Sequence, residues 1–291
     1  MIGHPQNRWE SRNRAGNILR ENLGKIKRID YEVFCHPRVI VSKPHLIAYY
    51  RLISVLPQKG VQRLAIGIKS FEEKRIRKID EKRALMVARV FNASISSMID
   101  SDPDFTISNA HSVGMMNLGT QINGSWRNEI GMEGSRRVKE LILKYFLTKG
   151  LVSSALSKDG VELKLKRLHT SIGDVQCITL KNKYMIEFGS EPDISLRTPK
   201  SVLEAAIEVK AGIDPAGALE RYGAAKKSFD RALRENKAAT TVYLASCITE
   251  GVRRAMSDDR LVKKEFNLTS IFVNDNARRE FLEYIQWLAH L

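Results

Sequence analysis

Apolar side chains recur at helical spacing in the first third of the chain. Over residues 44–58, Leu46, Ile47, Tyr50, Leu52, Ile53 and Leu56 define one helix face. Residues 71–99 mix many charges with Ile76, Ile79, Leu85, Met86, Val90 and Phe91, and the spacing predicts a long amphipathic helix. Its run Lys74, Arg75, Arg77, Lys78 reads first as a solvated face. Residues 100–128 lose this stripe and, after Asp104, nearly all charge. They are rich in Ser, Asn and Gly and read as a linker or long loop. A further helix is expected over 135–149, with Ser135 as its N-cap and Val138, Leu141, Ile142 and Tyr145 on one face.

From about residue 161 the period shifts toward two. ELKLKRLHT, DVQCITL, KYMIEFG and VLEAAIEVK read as successive strands. A helix follows over Pro215 to Glu235, with Leu219, Tyr222, Ala225, Phe229 and Leu233 at helical spacing. TTVYLASC and LTSIFVN read as strands, and ARREFLEYIQWLAHL as a closing helix. Strands that alternate with a crossover helix predict an α/β fold with a mixed central sheet flanked by helices. The expected division is a basic, mainly helical lobe over 1–128 and a sheet-bearing core over 129–291.

Composition narrows this picture. Hydrophobic residues make up 43% of the 291, which excludes wholesale disorder. A chain of this size buries roughly three quarters of its unfolded surface, so no covalent staple is needed. Cys35, Cys177 and Cys247 lie far apart and form no CxxC pair, so free thiols are expected rather than a disulfide or zinc framework. The first residues carry no apolar signal core. The longest uncharged stretch, from Phe105 to Trp126, is too polar to span a membrane. A cytoplasmic protein with no membrane partner is the expectation.

The 48 Lys and Arg against 33 Asp and Glu give a net charge of +15. Residues 1–90 carry 20 cationic and 8 acidic residues, a net of +12, so most of the excess lies in the first third. Such a field attracts polyanions, above all phosphate backbones, although an ordinary basic surface has the same composition. An aromatic content of 7% with no basic–aromatic interleaving argues against a platform for stacked single strands. The phosphate-loop, HExxH and GxSxG patterns are missing, so no nucleotide cofactor is expected.

Two short pieces carry candidate chemistry: EPDIS, with Glu191 and Asp193, and IEVKAG, with Glu208 and Lys210. Strand alternation sends Ile207 and Val209 to one face and Glu208 and Lys210 to the other. With EPD on a neighbouring strand, Asp193 joins them. Two close carboxylates need a cation, and hard oxygen donors of this kind suit Mg²⁺. A metal beside a phosphate activates water and offsets the charge of in-line attack. A lysine there can orient that water and stabilise the developing oxyanion. The competing reading is a Pro192–Asp193 turn and two exposed strand residues, since such a pattern arises by chance in roughly one chain in ten.

EPD followed by EVK resembles the PD-(D/E)xK nuclease superfamily, which includes most type II restriction endonucleases. The segment EVKAGIDPAGALERYGAAKKSF, residues 208–229, further resembles the XcyI family of restriction enzymes. The resemblance implies that Asp193 and Glu208 hold Mg²⁺, that the Val209 carbonyl assists, and that Lys210 is the catalytic lysine. It also implies a Glu from the helix before the sheet. Glu133 is the nearest match and Glu129 its rival, but Glu133 lies off the Val138 stripe, and a solvated first-turn Glu remains open. Glu204 alternates onto the Glu208 face, and Glu191 shares the Asp193 side. Arg221, Lys226 and Lys227 follow on the next helix and stand as candidate backbone contacts or as a solvated face.

The implied activity is Mg²⁺-dependent, site-specific cleavage of double-stranded DNA to 5′-phosphate and 3′-hydroxyl ends. The XcyI likeness implies CCCGGG as the target. Cutting both strands of a palindrome calls for two sites about a two-fold axis, hence a homodimer. The basic lobe would grip the backbone and read bases in the major groove. A structure-selective repair nuclease, a non-catalytic DNA-binding protein and a helical RNA-binding protein remain alternatives.

Overall fold

The computed structural model describes residues 33–102, 104–165 and 172–291. The basic residues before position 33 and the second half of the expected strand at 162–170 lie outside them. The chain divides into two compact units between Gly124 and Ser125.

The N-terminal unit is helical: α1 (Pro37–Ser42), a 3₁₀ turn (Pro44–Leu46), α2 (Ile47–Ile53), α3 (Gln58–Leu64), α4 (Lys69–Glu72), α5 (Glu81–Ser101) and the first part of α6 (Ile107–Thr148). Ile40, Ile47, Ile53, Val61, Val87, Phe91 and Ile95 are fully or almost fully buried and form its core. The helix expected over 44–58 is divided. Val55 takes a positive φ of 55° after α2, and Pro57 then precedes α3. The long helix expected over 71–99 also breaks. Lys74 takes a φ of 57°, and Asp80 caps α5 by accepting from the Arg83 N–H, so the basic run lies between two helices. The buried Arg51 guanidinium forms an ion pair with Glu72 at 2.5 Å and donates to Gln121 Oε1 at 2.6 Å.

The segment expected as a loop over 100–128 is the start of α6 from Ile107 onward. Thr106 and Asn109 cap it reciprocally. The Thr106 N–H donates to Asn109 Oδ1 at 2.9 Å, and the Asn109 N–H donates to Thr106 Oγ1 at 3.3 Å. Its apolar residues Met115, Met116, Ile122 and Trp126 are exposed, so no buried stripe announced the helix. Ser135 is consequently an interior residue and not an N-cap; its hydroxyl donates to the Gly131 carbonyl at 3.3 Å.

The C-terminal unit contains one seven-stranded sheet in the order β1 (Val152–Ser157), β2 (Val175–Leu180), β3 (Met185–Phe188), β4 (Ile194–Arg197), β5 (Leu203–Lys210), β6 (Thr240–Ala245) and β7 (Lys264–Asn267). Strands β1 to β5 run antiparallel to their neighbours, whereas β5, β6 and β7 are parallel. Parallel neighbours need crossovers. These are α7 (Ala218–Glu235) between β5 and β6, and α8 (Glu250–Asp259) between β6 and β7. Helices α9 (Leu268–Val273) and α10 (Asp275–Leu288) close the chain. The mixed sheet flanked by helices is the expected class.

Each sheet face has its own core. Val138, Ile142, Leu143 and Phe146 of α6, with Phe281, Leu282 and Ile285 of α10, pack on Ile178, Ile186, Ile207 and Val242. On the other face Tyr222, Ala225 and Phe229 of α7 pack with Tyr243 and Ala245. Three local expectations need correction. The first strand is β1, and the piece at 162–170 contributes only an isolated bridge at Glu162 among its described residues. LTSIFVN is helix α9, because Asn267 ends β7 and accepts from the Ser270 N–H at 2.8 Å as an N-cap. Helix α8 was not expected; Thr249 caps it, and Val252 is buried in the α7-side core. No helix among the described residues is long and apolar enough to cross a membrane.

Candidate active site

Strand β5 explains most of the site. It is flanked by β4 and β6, and its register pairs Ile207 with Ile194 of β4 and Glu208 with Tyr243 of β6. Ile207 and Val209 join the core on the α6 and α10 face. Glu208 therefore projects to the α7 face, as strand alternation requires. Asp193 immediately precedes β4, where the Gly189 N–H donates to its carbonyl at 3.0 Å. Its carboxylate Oδ2 accepts from the Val209 N–H at 2.9 Å. In an antiparallel pair the N–H and C=O of one residue project to the same neighbouring strand. The Val209 carbonyl thus points to the edge at which Asp193 is held.

Lys210 completes the cluster. Its Nζ lies 2.5 Å from Glu208 Oε2 and 3.7 Å from Asp193 Oδ2. The structure brings Asp193, Glu208 and Lys210 together at the C-terminal end of β5. The exposures grade the site: 3% for the Glu208 side chain, 18% for Asp193 and 20% for Lys210. One carboxylate is thus sealed in the fold, and the other carboxylate and the ammonium reach solvent. Burial is the main reason that the Glu208 carboxyl is held above its ordinary range. Lys210 opposes this shift and Asp193 adds to it.

Helix α6 approaches the cluster through small residues. A Cβ added at Gly134 would collide with the Cβ of Ala211, the residue after Lys210. One position on, Ser135 Oγ lies 3.4 Å from Asp193 Oδ1, an alternative acceptor to the Gly131 carbonyl. Glu133 does not join them. Its carboxylate pairs with Arg136 and Arg137, each at 2.7 Å, and hydrogen bonds from these two arginines pull its carboxyl down to about 2. Glu129 is exposed.

Other candidates are engaged elsewhere. Glu204 does not follow Glu208 to its face. A register shift between Leu196 and Arg197 interrupts the β4–β5 pairing, and Glu204 instead approaches His290 at 3.8 Å. Glu191 pairs with Arg231 at 3.0 Å, and Lys226 pairs with Asp259 at 3.2 Å. Lys227 is exposed. The Arg221 guanidinium fills the space that Gly212 and Gly217 leave without side chains and donates to the Asp214 carbonyl. It pins the loop that leaves Lys210.

Ser135 was not among the sequence candidates, nor were Ser228 and Tyr243, which lie beside Glu208. Isolated hydroxyls on apolar stripes form no motif, so no pattern in the sequence could have found them.

Among the described residues no group of three or more His, Cys, Asp and Glu side chains is gathered as a metal site. The cluster offers two carboxylates and the Val209 carbonyl edge. That is a hard-oxygen set of the size that Mg²⁺ uses when water and phosphate supply its remaining ligands. Glu208 Oε1 is buried without a hydrogen-bond partner, and Oε2, beside Lys210, is the oxygen that would face a cation.

The chain is similar to known proteins. The family model described as XcyI restriction endonuclease matches residues 20–287. The type II restriction enzyme Cfr9I of Citrobacter freundii is 27% identical over 212 residues, which cover 69% of this chain and 59% of that protein. The type II restriction enzyme XcyI of Xanthomonas campestris pv. cyanopsidis is 27% identical over 214 residues, with the same two coverages. The chain thus matches 59% of the length of these curated relatives.

Proposed function

The chain belongs to the XcyI restriction endonuclease family, and from that premise we propose that it is a Mg²⁺-dependent type II endonuclease that hydrolyses phosphodiester bonds in double-stranded DNA. The observation that carries the reading is the convergence of Asp193, Glu208 and Lys210 at the end of β5. Asp193 and Glu208 would hold the cation, with the Val209 carbonyl beside them. The bound ion supplies Lewis-acid stabilisation and a more acidic water. Lys210 Nζ lies beside both carboxylates, where it can orient the attacking water and stabilise the pentacovalent oxyanion. Asp193 is partly exposed, so a phosphate can approach it, while the sealed Glu208 remains fixed. With the 3′ oxygen as leaving group, water attack breaks the P–O3′ bond and leaves a 5′-phosphate and a 3′-hydroxyl.

In this reading residues 1–128 form a basic recognition lobe and residues 129–291 the catalytic core. The excess of positive charge over 1–90 supports binding to a phosphate backbone. Cutting both strands at one site calls for two copies of the core, so the working form is a homodimer. Glu133 has no part in the proposed set, because its carboxylate is already paired with two arginines.

The test is incubation of the purified protein with a long duplex DNA, with Mg²⁺ and with a chelator, followed by sequencing of the ends. Discrete fragments that need Mg²⁺ and carry 5′-phosphates are the expected result. DNA that is bound but stays intact with Mg²⁺ would mark a non-catalytic binding protein. Cutting only at branched or flapped substrates would mark a structure-selective nuclease.

A further inference from the structure

Three buried polar atoms of the C-terminal unit lack a hydrogen-bond partner among the described residues: Glu208 Oε1, Ser228 Oγ and the Tyr243 hydroxyl oxygen. They belong to one neighbourhood. Glu208 and Tyr243 are register partners on adjacent parallel strands, and both face α7. Ser228 lies in the buried stripe of α7 with Tyr222, Ala225, Phe229 and Ala232. Its hydroxyl is close enough to Glu208 to favour the charged carboxylate weakly. Relative exposures are 2% for Glu208, 3% for Ser228 and 0% for Tyr243, so solvent does not satisfy these atoms.

An apolar side chain would avoid this cost at either hydroxyl position. Ala225 and Phe229 show that the same stripe accepts alanine and phenylalanine. A buried hydroxyl without a partner is destabilising, whereas one beside a carboxylate oxygen has a ready acceptor. The two oxygens of Glu208 are also unlike. Oε2 accepts from Lys210 at 2.5 Å, and Oε1 is turned into the fold. A hydroxyl rotates to suit a nearby acceptor, and an ordered water joins buried polar groups whose direct separation is long.

We propose that Ser228 and Tyr243 are positioning residues for Glu208: their hydroxyls donate to Oε1, directly or through one shared water, and fix the carboxylate with Oε2 turned outward to Lys210 and the cation. This inference rests on Glu208 being a cation ligand, as proposed above. Neither hydroxyl touches DNA or metal. Their effect is on how well the carboxylate is held for the ion.

The experiment compares wild type, Ser228→Ala, Tyr243→Phe and the double variant. Mn²⁺ binding to the protein without DNA is measured by calorimetry, with the thermal midpoint measured in the absence of metal. Each single variant should bind Mn²⁺ about tenfold more weakly, the scale seen when a group supporting a metal ligand is removed. The midpoint should stay level or fall, because each substitution removes a donor from the buried Glu208 carboxylate. The Mg²⁺ needed for half-maximal cleavage should rise in parallel, with the rate at saturating Mg²⁺ nearly unchanged. Variants that match wild-type Mn²⁺ affinity within about twofold would overturn the positioning role, whatever their midpoints do. Wild-type protein that neither binds Mn²⁺ nor cuts DNA would instead overturn the parent reading, and the wild-type arm alone reveals it.

Discussion

The Val209 N–H donates to Asp193 Oδ2 at 2.9 Å. This bond fixes the aspartate to the strand that carries Glu208 and Lys210, so the three side chains share one frame. Ser135 Oγ lies 3.4 Å from the other oxygen of the same carboxylate. Asp193 is thus within reach of donors from both β5 and α6.

Lys210→Ala removes the positive charge beside both carboxylates. Cleavage at saturating Mg²⁺ should fall on the order of 10²–10³-fold, the scale for losing one electrostatic stabiliser of a developing oxyanion. DNA binding, measured by gel shift in Ca²⁺, should be retained. Lys210→Arg should not restore the rate, because a planar guanidinium does not replace a compact ammonium. Undiminished cleavage by Lys210→Ala would remove this residue from the mechanism.

Glu208 gives a prediction in which stability and activity separate. Burial, with Asp193 adding and Lys210 opposing, raises its carboxyl above the ordinary value. A raised folded-state value favours the protonated form in the fold. The stability it contributes is complete below the ordinary carboxylate range and is lost as pH rises through the raised value. At neutral pH without metal the ionised group is therefore a burden. Glu208→Gln should melt above wild type there, the difference should shrink in acid, and cleavage should be lost. Added Mg²⁺ should raise the wild-type midpoint and leave the variant unchanged. A variant that melts below wild type at neutral pH would show that the carboxylate itself supports the fold.

The parts of this site that were legible in the sequence are those set by strand alternation. IEVK gives its faces directly, because a period of two leaves no choice once Ile207 and Val209 are buried. The buried stripe of α7 was legible in part: Tyr222, Ala225 and Phe229 are buried, whereas Leu219 is exposed. Helix α6 was not legible before residue 135, because Met115, Ile122 and Trp126 are exposed there and no buried stripe marks it. That omission hid the approach of Gly134 and Ser135 to the site. The α9 segment was misread because LTSIFV has strand-like composition, and the Asn267 cap decided it. Glu204 was placed on the wrong face because a register shift cannot be seen from one strand alone.

Glu133 can be tested against the helix residues that do approach. Its carboxylate is paired with Arg136 and Arg137, and no ion pair links it to Lys210. Glu133→Gln should therefore cut within about threefold of wild type, as expected for an exposed surface pair. Ser135→Ala should have a larger effect on the Mg²⁺ dependence, since it removes a donor within reach of Asp193. Single-turnover rates across a Mg²⁺ series separate the two. A hundredfold loss in Glu133→Gln, on the scale of a lost catalytic group, would bring that carboxylate back into the reaction.

The close approach of α6 gives the most localised prediction. Two glycines, Gly131 and Gly134, lie one turn apart inside the same helix. Helix propensity alone favours alanine over glycine at both, by up to about 1 kcal/mol. Their surroundings differ. A Cβ at Gly131 meets nothing within 4 Å, whereas one at Gly134 collides with the Cβ of Ala211 and lies 3.6 Å from Leu268 Cδ2. Overpacking of this kind costs about 1–3 kcal/mol, which outweighs the propensity gain. Gly131→Ala should therefore raise the thermal midpoint with cleavage unchanged. Gly134→Ala should lower it and also slow cleavage, because Ala211 can yield only by moving the residue that follows Lys210. Thermal melts and single-turnover rates for the pair decide the matter. A Gly134→Ala protein as stable and as active as Gly131→Ala would mean that α6 does not press on the end of β5, and that the site tolerates displacement of its supporting helix.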